Sequence, residues 1–186
     1  MKRKNLLMAA CCAWGVAVGA HGATHKVHFD TLAQGQLPTN FTSQSVDMVQ
    51  LAYTDTIGNV CNPTQTGVAI INTQSFGSCP LPSPPNQLTA RSVIIDFDMP
   101  DFVTQLGGPV KKVVFKYAQL VGNVQIVFNS QCFTRASFTA LPNGNYGGVK
   151  YSATPCRVRL RKQPNDITQF SVGGALLAID DVRASD

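Results

Sequence analysis

The chain has 186 residues, 15 Lys and Arg, 10 acids and a formal net charge of +5; all ten acids are Asp. With 44% hydrophobic and only 13% charged residues, it fits neither a disordered charged tail nor a helical bundle with a Glu- and Lys-rich surface. The length suits one domain with a buried core.

In chain order, the first expected element is a secretory leader. Lys2, Arg3 and Lys4 supply a positive start, and Leu6 to Ala20 an uncharged apolar run. Val18-Gly19-Ala20 or His21-Gly22-Ala23 supplies the small residues of a cleavage site. The expected organisation is a cleaved leader over 1–20, with cleavage after 23 as the alternative, and one domain over 21–186. The apolar run is shorter than the ~20 residues of a membrane-crossing helix, so no membrane span is expected and the protein is read as secreted or periplasmic. Losing the three leader cations leaves 12 Lys and Arg against 10 Asp. A net charge that small demands no polyanionic partner, and nucleic acid is not expected as one.

Cleavage also removes Cys11 and Cys12 and leaves Cys61, Cys79, Cys132 and Cys156. An even number in an exported chain reads as two disulfides. Of the three possible pairings, Cys61–Cys79 with Cys132–Cys156 brackets the shortest stretches and is the one expected. Zinc sites use closely spaced cysteine pairs, which the four lack.

The remaining elements follow a period of two, broken by turn residues. Strands are expected over 25–29, 46–53, 67–72, 92–98, 110–118, 124–129, 132–138, 148–153, 156–162, 167–172 and 175–182. One helical turn is expected over 101–106, between Pro100 and Gly107-Gly108. Pro80 to Pro85 reads as a stiff loop, Pro142-Asn143-Gly144-Asn145 as a hairpin turn, and Gly173-Gly174 as a further turn. Short strands at this spacing mean an all-β, antiparallel β-sandwich.

Both ends of the domain carry a family likeness. The opening is Val27-His28-Phe29-Asp30-Thr31-Leu32-Ala33-Gln34-Gly35, and the close is Gly173-Gly174-Ala175-Leu176-Leu177-Ala178-Ile179-Asp180-Asp181-Val182. These resemble the first and last strands of MAM domains and of galactose-binding-like jelly rolls in exported proteins. The resemblance implies a jelly roll whose first and last strands lie side by side. It also implies a structural cation at that seam, with Asp30, Asp180 and Asp181 as ligands; carboxylate oxygens suit Ca²⁺.

Side chains that could carry chemistry are few. The three histidines, His21, His25 and His28, all lie near the start of the domain. No His follows position 28, so neither a two-histidine copper site nor a dispersed catalytic triad can be assembled from later residues. Asp96, Asp98 and Asp101 cluster, with Asp96 and Asp98 on one strand face, about 7 Å apart by strand rise. That pair is the basis of an alternative reading as a small hydrolase. Arg157, Arg159 and Arg161 alternate with Val158 and Leu160. With Lys162, and with Lys150 and Arg135 from neighbouring strands, they form a basic ladder suited to acidic or sulfated sugars or to phosphates. The single Trp, Trp14, lies in the leader, which removes any flat Trp platform for sugars. Tyr146, flanked by Asn143 and Asn145, is the best candidate for an exposed sugar-stacking ring, with Tyr53 second; Tyr117 reads as core. The function expected is an exported, non-catalytic binding module for a glycan or another extracellular surface. The alternative is a structural, adhesion or effector protein that binds a protein partner.

Overall fold

The computed structural model describes residues 22–73, 79 and 86–186. The expected leader, Cys11, Cys12, Trp14, His21 and the loop over 80–85 lie outside the described residues.

The protein is an all-β, antiparallel sandwich with one short helix. Its strands are β1 (Thr24–Val27), β2 (Gly35–Gln36), β3 (Asn40–Ser43), β4 (Val46–Ala52), β5 (Val68–Asn72), β6 (Gln87–Arg91), β7 (Val93–Phe97), β8 (Lys112–Phe128), β9 (Gln131–Arg135), β10 (Gly144–Tyr146), β11 (Val149–Thr154), β12 (Arg157–Lys162) and β13 (Phe170–Ser185). Helix α1 (Met99–Leu106) follows β7, and a single 3-10 turn occupies Phe138–Ala140.

The two long strands organise everything else. β8 and β13 pair antiparallel from Phe128↔Phe170 to Lys112↔Ser185, with register shifts around Gly174–Leu177 and at Asp180–Arg183. Bulges of this kind bend a strand, so the pair passes from one layer into the other. At one end, β8 carries β12, β11 and β10, and β13 carries β1 and β6. At the other end, β8 carries β9, while β13 carries β7, β4 and β3.

One continuous core lies between the layers. Phe115 from the first layer meets Phe170 from the second at 5.5 Å between ring centres, and Phe170 stacks on Phe97 at 5.2 Å. Phe138 stands edge-on to Tyr117 at 4.6 Å. Such pairs each add about 0.5–1.5 kcal/mol beyond their area burial. Tyr117 is therefore core, as its alternation with Val113 and Phe115 implies.

Several sequence expectations change. The stretches 110–118 and 124–129 form one strand, because Gly122 at φ 72° takes up the bend between them. The expected turn at Gly173-Gly174 is strand interior. A Cβ on Gly173 would sit 2.0 Å from the Val93 carbonyl oxygen, so glycine there permits β7 to pair closely. The hairpin turn between β10 and β11 is Gly147-Gly148, with φ 57° and 78°, not the Asn143-Gly144 pair. Both glycines take the positive φ that tight hairpin turns require. Helix α1 starts two residues before the expected Asp101. The Asp98 side chain accepts the Asp101 N–H at its start, and Gly107 in the left-handed region closes it.

The disulfides join the four expected cysteines but with a different pairing: Cys61–Cys132 and Cys79–Cys156, 71 and 77 residues apart. The first bridge ties a covering segment to the outer face of a layer. Cys61 pins the segment 53–66 across β8 and β9, where Gly58 and Thr134 exchange backbone hydrogen bonds and the Thr54 N–H meets Gln125 Oε1 at 3.1 Å. Cys79 lies on Ala118 and Ala178, whose small side chains let the bridge to Cys156 sit flat. Pairing follows which face each cysteine lies on, which sequence distance does not encode.

Candidate anion-binding site

Strand β12 alternates strictly. Val158 and Leu160 are fully buried, while Arg157, Arg159 and Arg161 face outward. The register fixes what stands beside each arginine. Arg161 lies between Lys150 of β11 and Lys112 of β8; Arg159 between Ser152 and Val114; Arg157 between Thr154 and Lys116. Nine side chains therefore form three rows of three. Neighbours across strands are ~4.8 Å apart, and same-face neighbours along a strand ~6.7 Å.

Six of the nine are cations, and the outer rows place like charges directly opposite one another. Such pairs destabilise a sheet. Among the described residues, Lys112, Lys150, Arg157, Arg159 and Arg161 have no carboxylate within ion-pair distance. The middle row is the low one, since Ser152 and Val114 are short beside the flanking Lys and Arg side chains. At its centre the Arg159 Nε is buried and, among the described residues, has no hydrogen-bond partner.

The flank toward β1 is electrostatically different. Arg183 pairs with Val114 on one side and with Lys26 on the other. Asp181, 3% exposed and held at φ 52° in the bulge of β13, gathers Lys26, Lys116 at 3.9 Å and Arg183 at 3.5 Å. One acid thus compensates three cations from three strands, and the arginine lattice beside it is left unbalanced.

The structure brings together Arg157, Arg159, Arg161 and Lys150 as the ladder reading expected. It separates the other two members. Lys162 is out of phase with the arginines and pairs with Asp166 at 2.8 Å. Arg135 belongs to the other layer, where it donates to the Gly58 carbonyl at 2.7 Å and lies over the Phe133 ring. Lys112, Lys116, Lys26 and Arg183 were missed. The alternation of Lys112 and Lys116 with Val113 and Phe115 carried the signal, but only the strand order shows that β8 adjoins β12.

The rim residues are used internally. Tyr146 packs edge-on to Phe133 at 5.0 Å and donates its hydroxyl to the Pro142 carbonyl at 2.8 Å. Asn143 Oδ1 accepts the Ala153 N–H, and Asn145 Nδ2 donates to the Gln163 carbonyl. Tyr53, expected to be exposed, has no solvent exposure. Its hydroxyl lies 2.7 Å from Asp55 Oδ1 and 2.9 Å from the Asn123 carbonyl, and burial pushes its pKa up, with Asp55 adding to the effect.

At the seam, β1 and β13 are neighbours, as the resemblance implies. The three acids expected there have separate partners. Asp181 faces the three cations, Asp180 Oδ1 accepts the Asp181 N–H, and Asp30 Oδ2 is 3.4 Å from His28 Nδ1. Among the described residues no group of three or more His, Cys, Asp or Glu is arranged to hold a metal ion.

The Asp cluster is likewise occupied. Asp96 accepts the Ser171 hydroxyl, Asp98 caps α1, and Asp101 Oδ2 accepts the Asp47 N–H at 2.8 Å. Those contacts hold β4, β7, β13 and α1 together. The two disulfides suit an oxidising compartment, and among the described residues no helix is long and apolar enough to cross a membrane. No protein-family model, no curated protein and no solved structure matches the chain.

Proposed function

We propose that the protein is an exported, non-catalytic binding module that holds an acidic glycan on the outward face of β11, β12 and β8. The observation that carries this reading is the unbalanced lattice of Lys112, Lys150, Arg157, Arg159 and Arg161. Opposed like charges lower fold stability, and an anionic ligand relieves that repulsion only when bound. Arginine on a rigid strand suits such a role, because its planar fork meets oxyanions with two parallel donors. Secretion fits the two disulfides. The adjacency of the first and last strands supports the galactose-binding-like jelly roll.

The test is an array of neutral and acidic glycans read at low and at physiological salt. Retention of acidic glycans that weakens as salt rises supports the reading, since exposed charges are screened over ~8 Å at 0.15 M. Equal retention of neutral glycans, or none of acidic ones at low salt, overturns it.

A further inference from the structure

We infer that the centre of this face is a subsite for a tetrahedral oxyanion, a sulfate or phosphate ester borne on a polysaccharide, with Arg159 as its anchor. The inference rests on the anion-binding reading of the face and adds the chemistry of the ligand's charged group.

Three features of the lattice lead there. Among the described residues no carboxylate pairs with the half-buried Arg159 and its Nε has no acceptor, so the chain leaves this guanidinium charge for a ligand oxyanion to meet. Ser152 and Val114, directly opposite Arg159 on the two neighbouring strands, are short, so the middle row forms a dip between taller rows. Lys150, Arg161 and Lys112 stand on one side of that dip, and on the other Arg157, beside Lys116, which is shared with Asp181.

The geometry selects among anions. A carboxylate presents two coplanar oxygens, which one guanidinium fork satisfies. A sulfate or phosphate ester presents three terminal oxygens in three directions. The register sets Lys150 of β11, Arg157 and Arg161 of β12 and Lys112 of β8 around this position, so donors from three strands are within reach of oxygens that point in three directions. Ser152 supplies a hydroxyl at the same level; its present contact, to the Arg159 carbonyl, is long at 3.5 Å.

The experiment compares three dextrans matched in length and charge density, bearing sulfate esters, phosphate esters or carboxymethyl groups. Binding is read by titration calorimetry for the wild type, Arg159→Lys, Arg159→Gln and Arg157→Lys. Thermal unfolding of each variant confirms a folded chain. At least one ester dextran should bind roughly tenfold or more tightly than carboxymethyl dextran, the scale of one charged hydrogen bond. The tighter of the two esters identifies the source of the oxyanion. Both Arg159 variants should erase the ester preference, Arg159→Lys with little loss on carboxymethyl dextran, and Arg157→Lys should keep it. Equal affinity for all three dextrans in the wild type, or a preference that survives Arg159→Lys, overturns the subsite while the anion-binding face stands. Failure of all three to bind overturns the face itself.

Discussion

The two layers treat their outer faces in opposite ways. On the β8–β9–β13–β7 side, the segment 53–66 lies across the sheet, stapled by Cys61–Cys132 and hydrogen-bonded to Gln125 and Thr134. Gln125 and Thr134, polar and outward-pointing, become buried, at 1% and 0% exposure. On the β11–β12–β8 side, among the described residues, no segment crosses the arginine rows. The covered face resolves its polar groups within the chain. The other face concentrates charge, and among the described residues Lys112, Lys150, Arg157, Arg159 and Arg161 there have no carboxylate partner. A face kept bare at a cost in like-charge repulsion is the better place to look for a ligand.

The difference can be broken from either side. Replacing Cys61 and Cys132 together by Ser should cost about 2–5 kcal/mol of stability, measured by denaturant unfolding. Affinity for a sulfated dextran should stay within about twofold, because the lattice stands on the other layer; a parallel loss of binding would mean that the two faces are coupled. Arg157→Ser with Arg161→Ser should do the reverse. Two lost charge-assisted contacts should weaken binding about a hundredfold, while the unfolding midpoint holds or rises as repulsion is relieved.

The smallest expected effect sharpens the contrast from below, in the core beneath the cations. Burial pushes the Tyr117 hydroxyl up to about 12, above the ~10 of an unfolded chain. The folded state therefore holds this proton more tightly. Its contribution is fully present below pH 10 and is lost as pH rises from 10 to 12. Urea midpoints should be level up to about pH 9 and fall above pH 10. Tyr117→Phe should make that fall shallower without abolishing it, because burial also raises Tyr53 and Tyr151, whereas the binding-face double variant should leave it in place.

The strand pattern was legible because period-two alternation is a local property. Val158 and Leu160 against Arg157, Arg159 and Arg161 sufficed to orient β12 correctly, and Val113, Phe115 and Tyr117 did the same for β8. The site was only half legible, because Lys112 and Lys150 reach the arginines through pairing partners that no local pattern names. Tyr146 misled for a related reason. Asn, Gly and Tyr in sequence read as an exposed loop, but the turn falls at Gly147-Gly148, and Tyr146 becomes a strand residue packed on Phe133. Strand β6 went unseen because Gln87 and Thr89 are polar, yet both are buried, with Asn72 Oδ1 accepting from the side chain of each.

The cysteine pairing has a consequence for how the molecule is made. In an unfolded chain the ends of a short loop meet more often than those of a long one. Cys61 with Cys79, or Cys132 with Cys156, is favoured over the native partners by about 1 kcal/mol each. Oxidation before the layers assemble therefore selects the wrong crosslinks. The native pair becomes the preferred product only once β8 and β13 have brought distant segments together, so the order of events, assembly first and oxidation second, is written into the positions of four sulfurs.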